Sequence, residues 1–417
     1  MTHARLRRRS LLAGAAATVT LGGFSGVGRR AARAKGQVTA ADHLIVLWMQ
    51  GGASHIDTFD PKPGTKEGGP FRAIETKTPG LQICEHLPGL AARSDRFAVV
   101  RSMTSKEGNH DRARHLGHTG YAPNPTVAHP AFGAWFSHQK GQPGDLPHYV
   151  SVAGPAHDAG FLGVQHGPFV LRKPGQRPDH TGYGFGVDRD RFDRRLKALD
   201  FVDRQFAAQT GDASVASRDA VYTRSVRMMR SEHLQAFDLG AESASVRQRY
   251  GDSDFGRGCL LARRLVETGV PMVEVTLNGW DTHTDNFTRS EKLMGKLDPA
   301  MSALLDDLKA HDLHRRTLVL WMGDFGRTPR INGNEGRDHH PRAWSAVLAG
   351  GQVRGGQVYG TTDARGAEVV KSPVTVPDLF ATVAMQLGLD PAATEYTPAG
   401  RPLSLTDHGS QVRALVG

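Results

Sequence analysis

Five consecutive apolar residues, Leu318 to Met322, run into Gly323 and Asp324, and the glycine-rich stretch beyond them carries Arg327, Arg337, Asp338, His339 and His340. Two other stretches repeat this order. Leu44 to Met49 leads through Gly51 and Gly52 into a loop with Ser54, His55, Asp57 and Asp60, and Val270 to Leu277 leads through Gly279 to Asp281, His283 and Asp285. Buried parallel strands read as short apolar runs, and open α/β sheets place their chemistry just beyond the carboxyl ends of the strands. Three such runs constrain the chain to a sheet with three polar loops at one edge. The competing reading of each loop is a solvated turn in which Asp is an ordinary turn former.

The remaining elements fit around these runs. Phe97–Met103 and Trp344–Ala349 read as further strands, and His148–Val152 as a short one. The stretch after Met103 is a polar loop or helix start with His110, His115 and His118, and residues 121–185 read as long loops over one face, a length usually tied to function. Phe192, Leu196, Leu199, Val202 and Phe206 recur at helical steps, and a second helix is expected around Val221–Phe237. Residues 188–249 thus form a helical insertion. Phe255–Thr268, the face from Leu293 to Leu308, and Val376–Leu387 read as further helices, with Pro299 placed to start a new helix at its first position. Strands alternating with helices at this spacing mean a doubly wound, mostly parallel sheet with helices on both faces. Residues 41–417 are expected to form a single domain.

Charge argues against a nucleic-acid partner. The formal net charge is +10, but residues 1–34 hold seven Arg and no acid, and without them it is +3. Those residues read as an address. Arg7, Arg8 and Arg9 precede Ser10, Leu11 and Leu12 in a twin-arginine pattern, a weakly apolar run follows, and Ala32-Arg33-Ala34 offers a cleavage site. The run is too short and glycine-rich for a good spanning helix, so no stable membrane span is expected after cleavage. The expected destination is the periplasm or the exterior, and the twin-arginine export machinery is an expected partner. Cys84 and Cys259 either pair in an oxidising compartment or stay as buried apolar thiols, the reading favoured by their lack of a spacing motif.

The three loops supply oxygen and imidazole ligands of the kind that hold zinc, manganese or iron. Structural charge networks are the alternative. Ser54, after the Gly-Gly turn, is either a nucleophile or a turn cap. Arg327 and Arg337 either clamp an anionic ester or pair with Asp324 and Asp338. His110, His115 and His118 either face the site or lie in solvent.

At these residues the chain resembles a known family. GGASHIDTFDPKPG, VRSM with NHDRA and HTG, GWDTH, and DFGRTPRING with GRDHHP are similar to the domain-of-unknown-function 1501 family, grouped with the alkaline phosphatase and sulfatase superfamily. The resemblance implies an alkaline phosphatase-like fold and an exported hydrolase that acts on phosphate or sulfate esters, small anionic substrates. It implies a divalent metal, zinc or manganese, at Asp281, His283 and His339, with Asp324 and Asp57 left for a second position. Ser54 takes the nucleophile's place, and Arg327, Arg337 and His110 that of substrate-binding groups. Two departures stand out: Gln50 where the superfamily has an acid, and Phe325 where it has a second His. They favour the alternative, a non-catalytic periplasmic binding protein on the same fold. Of the adjacent imidazoles, the resemblance selects His339 as the ligand; in extended backbone His340 then faces away.

Replacing Arg8 and Arg9 with Lys is expected to leave the protein in the cytoplasm, and the exported form is expected to begin at Lys35. N-terminal sequencing of periplasmic protein checks both; a mature chain starting at Met1 contradicts the address.

Overall fold

Alternation along the first apolar run sets the architecture. Strand β1, His43–Gln50, sends Ile45, Leu47 and Met49 to one apolar cluster and Leu44, Val46 and Trp48 to another. A strand buried on both faces needs helices on both faces, and both are present. The computed structural model describes residues 40–417 apart from 142, 143, 155, 180 and 211–213 and the side chains of 214, 216 and 217. The expected export signal, residues 1–34, lies outside the described residues.

Eight strands make the main sheet: β1, β2 (Phe97–Met103), β3 (Tyr149–Val152), β4 (Phe169–Leu171), β5 (Met272–Asn278), β6 (Thr317–Gly323), β9 (Trp344–Gly350) and β10 (Gln357–Tyr359). A separate two-stranded pair joins β7 (Gly326–Arg327) to β8 (His339–His340). The order in the sheet is β10-β2-β9-β6-β1-β5-β3-β4, and β9 alone runs antiparallel to its neighbours. Strand β1 is central, in parallel register with β5 (Gln50 beside Asn278) and β6 (Met49 beside Gly323). The carboxyl ends of the three runs therefore lie side by side.

The helices α1 (His110–Thr119), α2 (Phe132–Lys140), α3 (Arg189–Thr210), α4 (Ser214–Arg230), α5 (Asp254–Glu267), α6 (Asn286–Ala310) and α7 (Val376–Gln386) follow in chain order. Residues from α5 and α6 fill one cluster, and residues from α2 and α7 fill the other. Cys84 and Cys259 are free and buried.

Three local expectations are corrected. Helix α2 falls inside the stretch read as loops, where its Gly and His residues hid the apolar face of Phe132, Trp135 and Phe136. The helix expected around Val221–Phe237 is α4, which ends at Arg230; Ser231 then accepts the His233 N–H and caps a separate 3₁₀ turn, Glu232–Phe237. Pro299 does not start a helix, because α6 runs through it. An internal proline costs about 3 kcal/mol. Here Leu293, Met294, Leu297, Met301 and Leu304 are all buried on α6, and each contributes about 1.5–3 kcal/mol, so packing outweighs the lost bond.

Asp298 adds a tie between α6 and the short helix Pro88–Ala91. Its carboxylate accepts the backbone N–H groups of Gly89 and Leu90, both at 2.8 Å. Asp298→Ala leaves two nearly buried donors unpaired, each worth about 1–3 kcal/mol. The expected loss is about 2–4 kcal/mol, read as a lower urea midpoint, with Asp298→Asn losing less because it keeps one acceptor.

Candidate metal centre

Close approach of three backbones builds the site. Gly51 and Gly52, at the end of β1, have φ of 103° and 80°. A Cβ on Gly51 would stand 2.4 Å from the Asp281 nitrogen, and one on Gly52 2.5 Å from the Phe325 carbonyl oxygen. Only glycine permits both the backbone conformation and the contact. The Trp280 N–H donates to the Gln50 carbonyl at 3.1 Å, and the Gly51 N–H to Asp324 Oδ2 at 3.2 Å. All three strand ends are thus joined.

Arg327 locks this junction. Its side chain is fully buried; it donates to Asp281 Oδ1 at 2.6 Å, to the carbonyls of Gly52 at 3.1 Å and Arg337 at 3.2 Å, and also to the Gly51 carbonyl. Burial raises the Asp281 pKa, but the Arg327 hydrogen bond and charge, with His110, overcome it and hold the carboxyl at about 2.

Three imidazoles meet this carboxylate. His110 Nε2, His283 Nε2 and His339 Nε2 stand 3.2, 3.2 and 3.5 Å from Asp281 Oδ1. Each ring is held from behind through Nδ1: His110 by Asp324 Oδ2 at 2.6 Å, His283 by Asp338 Oδ1 at 2.9 Å, and His339 by the Gly108 carbonyl at 2.8 Å. A carbonyl or carboxylate only accepts, so each Nδ1 carries the proton and each neutral ring turns its Nε2 lone pair towards Asp281. His283 Nε2 and His339 Nε2 are 2.9 Å apart. Two lone pairs at that distance repel unless a proton or a metal cation sits with them. Ligand atoms around a zinc with bonds of about 2.0–2.1 Å are about 3.3 Å apart in a tetrahedron, and the separations here bracket that value. Nitrogen ligands backed by carboxylate and carbonyl acceptors are the usual supporting pattern of such centres. The donor set therefore fits a divalent cation.

The Asp324 hydrogen bond raises the His110 pKa against its burial, whereas burial lowers that of His339. The Phe325 ring packs against both imidazoles, with centroids 4.9 Å from His110 and 4.7 Å from His339. Phe325 thus occupies the position where the resemblance placed a His, and the imidazole that meets Asp324 comes from α1. His339 and His340 are the two residues of β8, and they point apart: His340 Nε2 meets the Ala367 carbonyl at 2.7 Å.

The other candidates have different places. Asp324 reaches the cluster only through His110, so it stands behind a ligand position; its side chain is buried and its Oδ1 has no hydrogen-bond partner. Asp57 is held away from the cluster by Arg337 in a bidentate pair at 2.7 and 3.0 Å and by Asn286 at 2.9 Å. Neither guanidinium is free to clamp an ester. Arg327 and Arg337 are fully buried, and their donors are taken up by protein groups, as buried charge requires. The alternative pairing with Asp324 and Asp338 gives way to pairing with Asp281 and Asp57. Ser54 is buried, and its Oγ accepts the Asp57 N–H at 3.3 Å, so the hydroxyl caps a turn. His110 belongs to the cluster itself. His115 and His118, further along α1, meet His129 and Glu274 instead.

The sequence reading gave no role to the Gly108 carbonyl or to Asn332, whose amide holds both the His283 carbonyl and Asp338. Asn109 was the available signal for His110. It accepts the N–H groups of Asp111 and Arg112 and so caps α1, which puts the next side chain at a fixed helix start.

Solved structures with a similar course of chain include a phosphonate monoester hydrolase from Silicibacter pomeroyi, 12% identical, covering 90% of this chain and 76% of that one with a TM-score of 0.39. A protein in the alkaline phosphatase superfamily from Vibrio parahaemolyticus is 13% identical over 85% of this chain and 68% of that one, with a TM-score of 0.37. The lipoteichoic acid synthase LtaP from Listeria monocytogenes is 9% identical over 85% and 73%, with a TM-score of 0.39. Comparison with curated protein sequences gives no match. The family model described as "Protein of unknown function (DUF1501)" matches residues 41–416, and the chain belongs to that family.

Proposed function

We propose that this protein is an exported, metal-dependent hydrolase of phosphate or sulfate esters with one metal position, formed by Asp281, His283, His339 and His110. The observation that carries the metal is the convergence of three Nδ1-anchored imidazoles on one ionised carboxylate. The ester class rests on the sequence resemblance. A divalent cation at this position supplies Lewis acidity towards an ester oxygen and towards water.

The chain's own residues do the rest. Asp324, Asp338 and the Gly108 carbonyl hold the three rings in the required tautomer. Arg327 keeps Asp281 ionised and fixes it across two loops. The side chains of Asp281 and His283 are 48% and 42% exposed, so the centre is open to solvent and to a small substrate. With Ser54 committed to a turn, water is the nucleophile this geometry supports.

A second reading, a metal-binding protein without hydrolytic activity, is favoured by one observation: both guanidinium groups nearest the centre are spent on protein partners. A panel of aryl phosphates and aryl sulfates, tested on metal-loaded protein, separates the two. Turnover that chelation abolishes supports the hydrolase, whereas bound metal with no turnover supports the second reading.

His339→Ala is expected to lose its metal and His340→Ala to keep it, as measured by elemental analysis of both purified variants. Equal retention by both contradicts the ligand assignment. Asp338→Asn and Asp324→Asn are expected to weaken metal affinity by roughly 10–100-fold each, since each removes a carboxylate behind a ligand. Metal content is also expected to fall as the pH drops below about 6, because protons compete with the cation for imidazole nitrogens.

A further inference from the structure

The hairpin α3–α4 has a surface that the fold leaves uncovered. Asp203 is the only described residue of α3 that is buried; it pairs with Arg218 of α4. Phe192, Leu196 and Leu199 form a half-buried inner stripe. On the other side, Arg191, Arg195, Val202 and Phe206 follow at steps of four, seven and four, with Arg194 and Phe201 beside them, and these steps keep them on one face. Phe201 is 64% exposed, Val202 59% and Phe206 46%. Among the described residues no carboxylate pairs with Arg191, Arg194 or Arg195. No described helix is long and apolar enough to cross a membrane.

Charge is segregated into the same hairpin. Residues 189–230 hold ten Arg and Lys against six Asp, a net +4, while the rest of residues 35–417 holds 35 basic and 36 acidic residues, a net −1. This surface needs a partner that is both anionic and apolar. A second copy would set +4 against +4. Nucleic acid matches the charge but offers no apolar phase for Val202 and Phe206. An anionic bilayer offers both, with headgroups for the arginines and the acyl boundary for the rings.

We infer that the outer face of α3 lies on the surface of anionic lipid membranes and holds the protein there without spanning them. This surface is independent of the metal centre and of its proposed chemistry.

Vesicle co-sedimentation of the full chain tests it, with phosphatidylcholine vesicles with and without phosphatidylglycerol. The wild type is expected to bind only the vesicles that contain phosphatidylglycerol and to be released by high salt. R191Q/R194Q/R195Q is expected to bind on the order of a hundredfold more weakly, from about fivefold per basic residue near an anionic surface. F201S/V202S/F206S is expected to lose binding as well, with both variants keeping the wild-type metal content as the mark of an intact fold. If either variant fails to fold, the wild type's lipid and salt dependence decides. Binding that ignores phosphatidylglycerol overturns the inference, as does its survival in both folded variants. A dimer abolished by F201S/V202S/F206S, or duplex DNA bound in place of vesicles, also overturns it.

Discussion

The centre depends on one buried guanidinium. Arg327 comes from β7, one residue after Phe325, and bonds to the β1 loop at Gly51 and Gly52, to the β5 loop at Asp281 and to the returning loop at Arg337. Burying a charge costs several kcal/mol unless it is paired and hydrogen-bonded. Here the cost is met by Asp281 and three carbonyls, which can accept from this fork only if the three loops hold these positions. The same contacts join loops that the sheet alone leaves independent. Cross-strand pairing of Arg327 with His339 then fixes the last imidazole by backbone geometry.

A second buried arginine has a different consequence. Arg337 and Asp57 satisfy one another bidentately, Asn286 completes the carboxylate, and the carbonyls of Thr328, Pro329 and Glu67 complete the guanidinium. That pair is closed, and neither side chain reaches solvent. Asp281 shares its guanidinium but keeps half its surface exposed and faces three lone-pair nitrogens. The two Asp–Arg pairs sit on adjacent loops, yet only one is open to a ligand.

This difference explains what the sequence could and could not tell. The central strands were legible because Leu44–Met49 and Leu318–Met322 are apolar on both faces, and the grouping of Asp281, His283 and His339 follows from the parallel register of β1, β5 and β6. Asp57 and Asp281 were not separable. Both follow a strand, a glycine and a His-bearing loop, and the partner that closes Asp57 lies 280 residues away. His110 was ambiguous because it sits seven residues beyond β2, at the start of a helix whose direction local pattern does not fix. Its role depends on Phe325 packing beside it, a tertiary contact. The α6 helix carried a proline, a local stop signal that the burial of one apolar face overrides.

Charge around the centre also bears on which ion suits it. Asp281 touches the imidazoles directly, and Asp324 and Asp338 stand one ring further back, so three carboxylates surround the three rings. Arg327 is the one guanidinium in contact with this set, which leaves a net charge of −2 with the rings neutral. The Asp324 Oδ1 that lacks a partner adds to the negative field behind His110. A monovalent ion would leave half of this charge uncompensated in a partly buried site, whereas a divalent cation balances it. Protonated rings are the only other compensation the chain offers, and the raised His110 pKa follows from that same field. Because Asp324 and Asp338 act through imidazoles, their charge steadies the cation without occupying its coordination positions, and the exposed side of Asp281 and His283 stays open to a substrate.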